Sequence, residues 1–433
     1  MNKEIYRLAV PNIITNITIP ILGMVDLSLL GHLDSPVYLG AVSIGAMIFN
    51  ILYWGMNFIR MSTTGFTSQA YGEGDTEKIA VNLFRPLIIA FSIGFVLILL
   101  KDITQTVSFN LLQSEAETEK LAASYFNIRI WAAPASLSLY GFYGWFIGMQ
   151  NSRYPFFIAI FINIVNIALS YFFIYHLNMK SDGAALGTVA AQYSGVLLSM
   201  LLLFKKYRKY LNINFFNKSF NKKDIVGLFK VNTNIFIRTL GIMLVFTFFT
   251  ASSANKSTLI LDTNTVLFQF YIFFTYFIDG FAYATEALSG KYKGKKDYKN
   301  FMLVIKKIFF ISFVVSVLFS VIYVFFGDFI IQIMTGNKQI LELSQKYIFW
   351  VYILPVLSFA AFIWDGVFVG TTMSKEMRNT MLASSLLVFF PVYYLFEPTM
   401  GNNALWLALI LFLTSRGVFQ TFVFLRKIKI MIS

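Results

Sequence analysis

Asp26 is the residue that first asks for a chemical explanation. It lies in "GMVDLSLLGH" (residues 23–32), within an apolar stretch that holds no other charged side chain between Leu8 and Leu30. A charge in a membrane-spanning segment costs about 2.5 kcal/mol or more and usually marks an ion or substrate pathway. Asn12, Asn16, Gly23 and Asp26 fall on one stripe of a helix. Further along, Asn163, Asn166 and Ser170 share a face, and "GAALGTVAAQ" (183–192) sets Thr188 and Gln192 among small residues that let helices approach. This is an oxygen-bearing set suited to a cation, or to a proton held on Asp26. Burial disfavours an ionised carboxylate, so Asp26 is suited to take up and release a proton. A structural aspartate satisfied by Asn and Thr donors fits the same pattern.

A second set lies in the other half of the chain. Asp279, Tyr283 and Glu286 follow i, i+4, i+7 spacing, Arg238 in "NIFIRTLG" is the nearest candidate counter-charge, and Asp365 enters from "WDGVFVG". One arginine cannot neutralise both Asp279 and Glu286, so at least one of these acids is expected to be protonated or functional. Arg238 reads equally as a structural partner or as part of a substrate site. Pro11 and Pro20 each remove a backbone hydrogen bond from the first span. A bend there is either a gate that answers to Asp26 or a static kink.

The elements that must position these groups are membrane helices. Of the 433 residues, 57% are hydrophobic, 18% aromatic and 13% charged, and the mean hydropathy is +0.68. Runs of roughly 20 mostly apolar residues recur along the chain, the length a helix needs to cross the hydrocarbon core. The runs are apolar all round, which excludes the alternation of a β-barrel. Twelve spans are expected: 8–31, 37–70, 84–108, 121–148, 154–176, 183–204, 225–254, 259–290, 303–326, 345–372, 378–396 and 403–425. The first is too long for a cleavable signal, and no leader is expected.

The net charge of +14 is distributed by topology. With a cytoplasmic N-terminus, most of the 35 Lys and Arg residues fall in cytoplasmic segments, as the positive-inside rule requires. Both termini are therefore expected in the cytoplasm, on a multi-pass plasma-membrane protein. The basic loops lie close to the membrane, so anionic lipid is the simpler partner and nucleic acid is not expected. With no cysteine, disulfides and thiolate metal sites are excluded. His32 and His176 have no partner constellation, and no P-loop is present. No enzyme chemistry, metal or organic cofactor is expected, and an ion gradient remains as the energy source. Most of the 49 Phe and 23 Tyr residues suit lipid and helix contacts. Phe268, Phe270, Tyr271, Phe273 and Tyr276 are candidates to line a cleft for flat lipophilic cations.

The chain also repeats itself. "TSQAYGEGD" (67–75) is echoed by "TEALSGKYKGKKD" (285–297), and "GWFIGMQNSR" (144–153) by "GVFVGTTMSK" (366–375). The expected organisation is an N-terminal six-helix bundle (1–204), a basic cytoplasmic linker (205–224) and a C-terminal six-helix bundle (225–433). An even number of spans in each half gives parallel repeats, two pseudo-symmetric bundles around a central cleft.

"LAVPNIITNITIPILGMVDLSLLGHL" and "RMSTTGFTSQAYGEGD" resemble the opening of the multidrug and toxic compound extrusion transporters. "IRIWAAPASLSLYGFYGWFIGMQNSR", "IFIRTLG", "FIDGFAYATEALSG" and "FIWDGVFVGTTMSKEMRN" are similar to the DinF-like branch of that family, and the resemblance covers essentially the whole chain. It implies two six-helix bundles in a V and an antiporter that expels lipophilic, often cationic compounds in exchange for protons or sodium. It also implies a cation site at Asp26, Asn166 and Thr188, and a first-helix bend at Pro11. Ser170 stands where the family commonly has an aspartate. A sodium site would thereby lose one of two carboxylates, whereas a proton needs only Asp26, so proton coupling is the expectation. Asp279, Glu286, Asp365 and Arg238 are candidates for the substrate or a second site, and the chain is expected to work as a monomer. A flippase for lipid-linked or other amphipathic molecules is the alternative. It would need a cation-rich cleft, whereas the span arginines here are scattered among acids.

Overall fold

The computed structural model describes residues 1–33, 35–111, 115–219 and 221–432, with the side chains at 19, 21, 22, 26, 27, 111, 213, 214, 217, 222, 223 and 429–432 outside the description. Every regular element among the described residues is a helix. The first ten are α1 (Asn2–Gly31), α2 (Val37–Gly55), α3 (Phe58–Glu73), α4 (Thr76–Leu99), α5 (Lys101–Leu111), α6 (Ala116–Arg129), α7 (Ala133–Gly148), α8 (Arg153–Tyr171), α9 (Lys180–Tyr207) and α10 (Ile213–Lys218). The remainder are α11 (Lys222–Lys256), α12 (Thr258–Gly294), α13 (Tyr298–Met334), α14 (Lys338–Gly370), α15 (Ser374–Ala383), α16 (Phe390–Met400) and α17 (Asn402–Ile432). Short π turns extend α8 at Phe172–His176 and join α15 to α16 at Ser384–Phe389.

Eleven candidate spans among the described residues are long and apolar enough to cross a membrane. The remaining expected span, the fourth at 121–148, is built from α6 and α7 joined by a 3₁₀ turn at Ile130–Ala132. Pro134 has no N–H to give to the helical ladder, so the α-helix restarts there. Gly94 of α4 packs against that break: a Cβ on it would lie 2.5 Å from the Pro134 Cα. The longest helices, α12 and α13, have 37 residues each. At 1.5 Å per residue that is about 55 Å, well beyond a hydrocarbon core of about 30 Å. The outward side chains are those of a lipid-facing surface, with Phe325, Leu387 and Leu395 all more than 70% exposed.

The chain divides into two compact units. The N-terminal unit is Val10–Leu228, and the C-terminal unit is Met1–Ala9 with Phe229–Ser433. Two helices therefore change unit along their length: α1 between Ala9 and Val10, and α11 between Leu228 and Phe229. The 205–224 segment is not featureless. It carries a 3₁₀ turn at Arg208–Tyr210 and the short α10, both within the N-terminal unit.

Each unit is built on the same internal plan, in register at an offset of 222 residues. Helices begin at Thr76 and Tyr298, at Ala116 and Lys338, and at Lys180 and Asn402. Asp75 caps α4 by accepting from the Lys78 N–H (3.0 Å), as Asp297 caps α13 by accepting from the Asn300 N–H (3.1 Å). Gln150 and Thr372 both take left-handed backbone, φ 61° and 56°. A Cβ on Gly144 would stand 2.4 Å from the Arg60 carbonyl oxygen, and one on Gly366 2.5 Å from that of Ala282. Finally, the Asn12 amide donates to Ser152 Oγ (3.0 Å) as the Asn234 amide donates to Ser374 Oγ (3.1 Å).

Candidate functional site

In the N-terminal unit, α8 and α9 bring together three of the expected residues. The contact depends on small residues: a Cβ on Gly187 would lie 2.4 Å from Ser170 Oγ and 2.8 Å from its backbone nitrogen. At this close approach the Asn166 amide donates to Thr188 Oγ1 (3.0 Å), and the Thr188 hydroxyl donates to the Ala184 carbonyl (2.9 Å). Asn166 and Ser170 are fully buried. Asn166 Oδ1 and Ser170 Oγ have no hydrogen-bond partner among the described residues. A buried polar atom without a partner costs about 1–3 kcal/mol. The pair is an electron-rich site that awaits a donor or a cation.

Asp26 is on α1, and its side chain lies outside the described residues. The backbone level of α1 is nevertheless fixed at two points within this unit. Asn12 donates to Ser152, just before α8, and the Tyr175 hydroxyl, beyond the end of α8, donates to the Leu29 carbonyl (2.7 Å). Counted from the first contact, Asp26 and Asn166 are each about 21 Å along their helices. Counted back from the second, the level of Asp26 falls a little beyond Ser170. The two counts bracket Asn166 and Ser170. Pro11 lies inside α1, and its carbonyl accepts from Thr15 Oγ1 (2.8 Å). It stands two residues past the point where α1 changes unit.

In the C-terminal unit, Asp365 of α14 is the hub. Its Oδ2 accepts from Arg238 of α11 and from Arg416 of α17 (2.7 Å), and its Oδ1 accepts from the Gln420 amide (2.6 Å). Asp365, Arg238 and Arg416 are 6%, 8% and 2% exposed. Two buried guanidinium groups thus share this carboxylate. The Arg416 guanidinium also lies over the Phe412 ring, 5.5 Å from its centre. Arg238 thus has Asp365 as its partner. Asp279 is half-buried on α12 and Glu286 is buried there, and both engage neighbouring groups. Sequence reasoning did not bring Arg416 and Gln420 into this set, although "RGVFQ" places them four residues apart, on one face of a helix.

A second polar cluster that the sequence reading passed over lies elsewhere in the same unit. Asn264 donates to Ser253 Oγ (2.7 Å) and Asn402 Oδ1 (2.8 Å), and its own oxygen accepts from Asn402 and from the Trp406 indole, both at 2.9 Å. Both the oxygen and the amide nitrogen of Asn264 are engaged, so this cluster ties α11, α12 and α17 together and offers little to a ligand. Among the described residues no three His, Asp or Glu side chains converge as a metal site would need.

Comparisons with known proteins place the chain in a family. The MatE family model matches the chain twice, over residues 11–172 and 235–395, one match in each half. The chain is 37% identical to the DNA damage-inducible protein F of Escherichia coli (strain K12), over 96% of this chain and 90% of that one. Among solved structures, a MATE transporter in the bent conformation superposes with a TM-score of 0.90 over 99% of this chain and 96% of that one, at 17% identity. The Vibrio cholerae MATE transporter VcmN in the bent form gives 0.88 over 99% and 97%, at 16% identity. At such identities these two likenesses speak for the fold alone. The chain is an all-α, multi-pass membrane transporter and not an enzyme, and it belongs to the MatE family of multidrug and toxic-compound efflux transporters, on the branch of DNA damage-inducible protein F.

Proposed function

We propose that this transporter is a secondary active antiporter that expels lipophilic, often cationic compounds in exchange for protons, with Asp26 as the coupling group. The observation that carries the reading is the buried pair of partnerless acceptors, Asn166 Oδ1 and Ser170 Oγ, at the level that α1 gives to Asp26. A protonated carboxyl supplies an O–H donor to Asn166 Oδ1, whereas an ionised one supplies none and can only accept from the Ser170 hydroxyl. Protonation thus has a differential free energy between two states of the site, which is what an ion must provide to bias a conformational equilibrium. Pro11, beside the change of unit in α1, is the proposed point of bending. The excess of Lys and Arg in the 205–224 segment and near the chain ends supports a cytoplasmic location for both termini. The protein acts in this reading as a monomer in the plasma membrane.

The test is ethidium efflux from everted vesicles with either a proton or a sodium gradient imposed, for the native chain and Asp26→Asn. Efflux driven by protons alone and abolished by the substitution is expected. Sodium-driven efflux would overturn proton coupling, and would mean that Asn166, Ser170 and Thr188 complete a metal site with Asp26. If neither gradient moves the dye, export of lipophilic cations is refuted.

A further inference from the structure

The N-terminal unit carries a groove that plays no part in the site above. It has a volume of about 590 Å³ and is lined mainly by apolar side chains, among them Phe84 and Phe91 of α4, Phe142 of α7, Leu197 and Met200 of α9 and Phe216 of α10. That volume lies within the roughly 300–1,000 Å³ of small-molecule sites. Phe91, Leu197 and Met200 are exposed, and α4 and α9 are both candidate membrane spans. The groove therefore opens towards hydrocarbon.

Towards the start of α4 the lining changes character. A second pocket, of about 750 Å³, is lined by Lys78, Arg85 and Lys218 together with Asp75, Glu77 and Asp224. α10 serves both pockets: the Phe216 ring meets Phe84 edge-on at 5.5 Å, and Lys218 lines the polar pocket. Arg85, itself buried, fixes α10 there by donating to the Ser219 carbonyl and to Asp224, both at 2.8 Å. Carboxylates more than match these three cations: Lys218 lies on Glu77 at 2.6 Å, Arg85 on Asp224 at 2.8 Å, and Lys78 on Glu73 at 2.6 Å and on Asp75 at 3.5 Å. Two further lysines of this end are engaged with aromatic rings. Lys206 lies over the rings of Tyr154 and Tyr207, and Lys209 over that of Tyr210.

We propose that the groove and the polar pocket together form a binding site for a phospholipid with an aminoethyl phosphate head. An acyl chain fills the groove. The phosphate takes hydrogen bonds from Lys78 and Lys218, and the ammonium is received by Glu77 and Asp75. A head without an amine brings a negative charge to these carboxylates and supplies nothing to them, so the pocket discriminates by the amine. The Arg85 contacts then make the lipid a fastener for α10, since the same short helix contributes to both parts of its site.

Native mass spectrometry of the full chain, purified in detergent and supplied with equal amounts of chain-matched phosphatidylethanolamine and phosphatidylglycerol, tests the site. The ethanolamine lipid is expected to be retained in about fivefold excess, the scale of an exposed ion pair. Leu197→Trp and Met200→Trp, at exposed positions that fold need not notice, are each expected to remove that bound lipid. Glu77→Gln with Lys218→Gln is expected to keep a lipid but lose the preference. Equal retention of the two lipids by the native chain, or a preference for the glycerol head, overturns the proposal. So does retention unchanged by both groove substitutions, or a preference that survives loss of the Glu77–Lys218 pair.

Discussion

A carboxylate that holds two guanidinium groups and an amide is poorly placed to carry a proton, because neutralising it removes the ion-pair partner that two buried cations share. Asp365 is in that position. Asp365→Asn is expected to lower stability by about 3–5 kcal/mol, the cost of breaking a buried ion pair from one side, and to show as a depressed thermal melt in detergent. Replacing Asp365, Arg238 and Arg416 together by Leu and Met is expected to recover most of that loss. A melt unmoved by the single substitution would mean that the cluster carries no such load. The costly charges themselves were legible in the sequence, since Arg238 and Asp365 interrupt apolar runs. Their pairing was not legible, because α11, α14 and α17 meet only in the folded unit and hydropathy says nothing about which faces meet. Asn166 and Thr188 were found for the opposite reason: each lies on a helix whose small or polar residues already mark the contact face.

At the scale of elements, the helices pack where glycine lets one backbone reach another. Gly144 and Gly366 occupy equivalent places, each against a carbonyl oxygen of the helix it packs on. Gly144→Ala and Gly366→Ala are each expected to cost about 1–3 kcal/mol by overpacking, in similar measure, as read from chemical denaturation. A neutral effect at one of them would show that the two contacts are not equivalent. The spans were legible because twenty apolar residues leave a chain few alternatives in a bilayer. The break at Ile130–Ala132 had its signal in Pro134, within a run that hydropathy alone reads as continuous. α10 gave no such signal. It is six residues long, too short to be stable alone, and it is held by Arg85 from more than a hundred residues away.

For the whole molecule, the repeat was visible in two short echoes, and the structure extends it to a constant register through helix starts, caps and turns. The division of α1 between units was not visible, because the pattern of a long helix does not say which neighbours its turns will find. Pro11 sits beside that division. Pro11→Ala restores a backbone N–H within the helix and is expected to stabilise the protein by up to about 3 kcal/mol. In the proposed mechanism it also slows dye efflux, since the bend becomes costly. Stability gained with efflux unchanged would reduce Pro11 to a static kink.

The same division bears on how the protein is made. Glu4 pairs with Lys291 (2.8 Å) and with the Tyr292 hydroxyl (3.1 Å), and Asn2 accepts from Lys307 (3.1 Å). Asn2 and Glu4 leave the ribosome before their partners exist. At about 5–20 residues per second, roughly 15–60 s of translation separate Asn2 from Lys307. The opening turns of α1 must wait out that interval without those partners while the N-terminal unit assembles. Their docking is among the late events of biogenesis, and it reports that the second half of the chain has arrived.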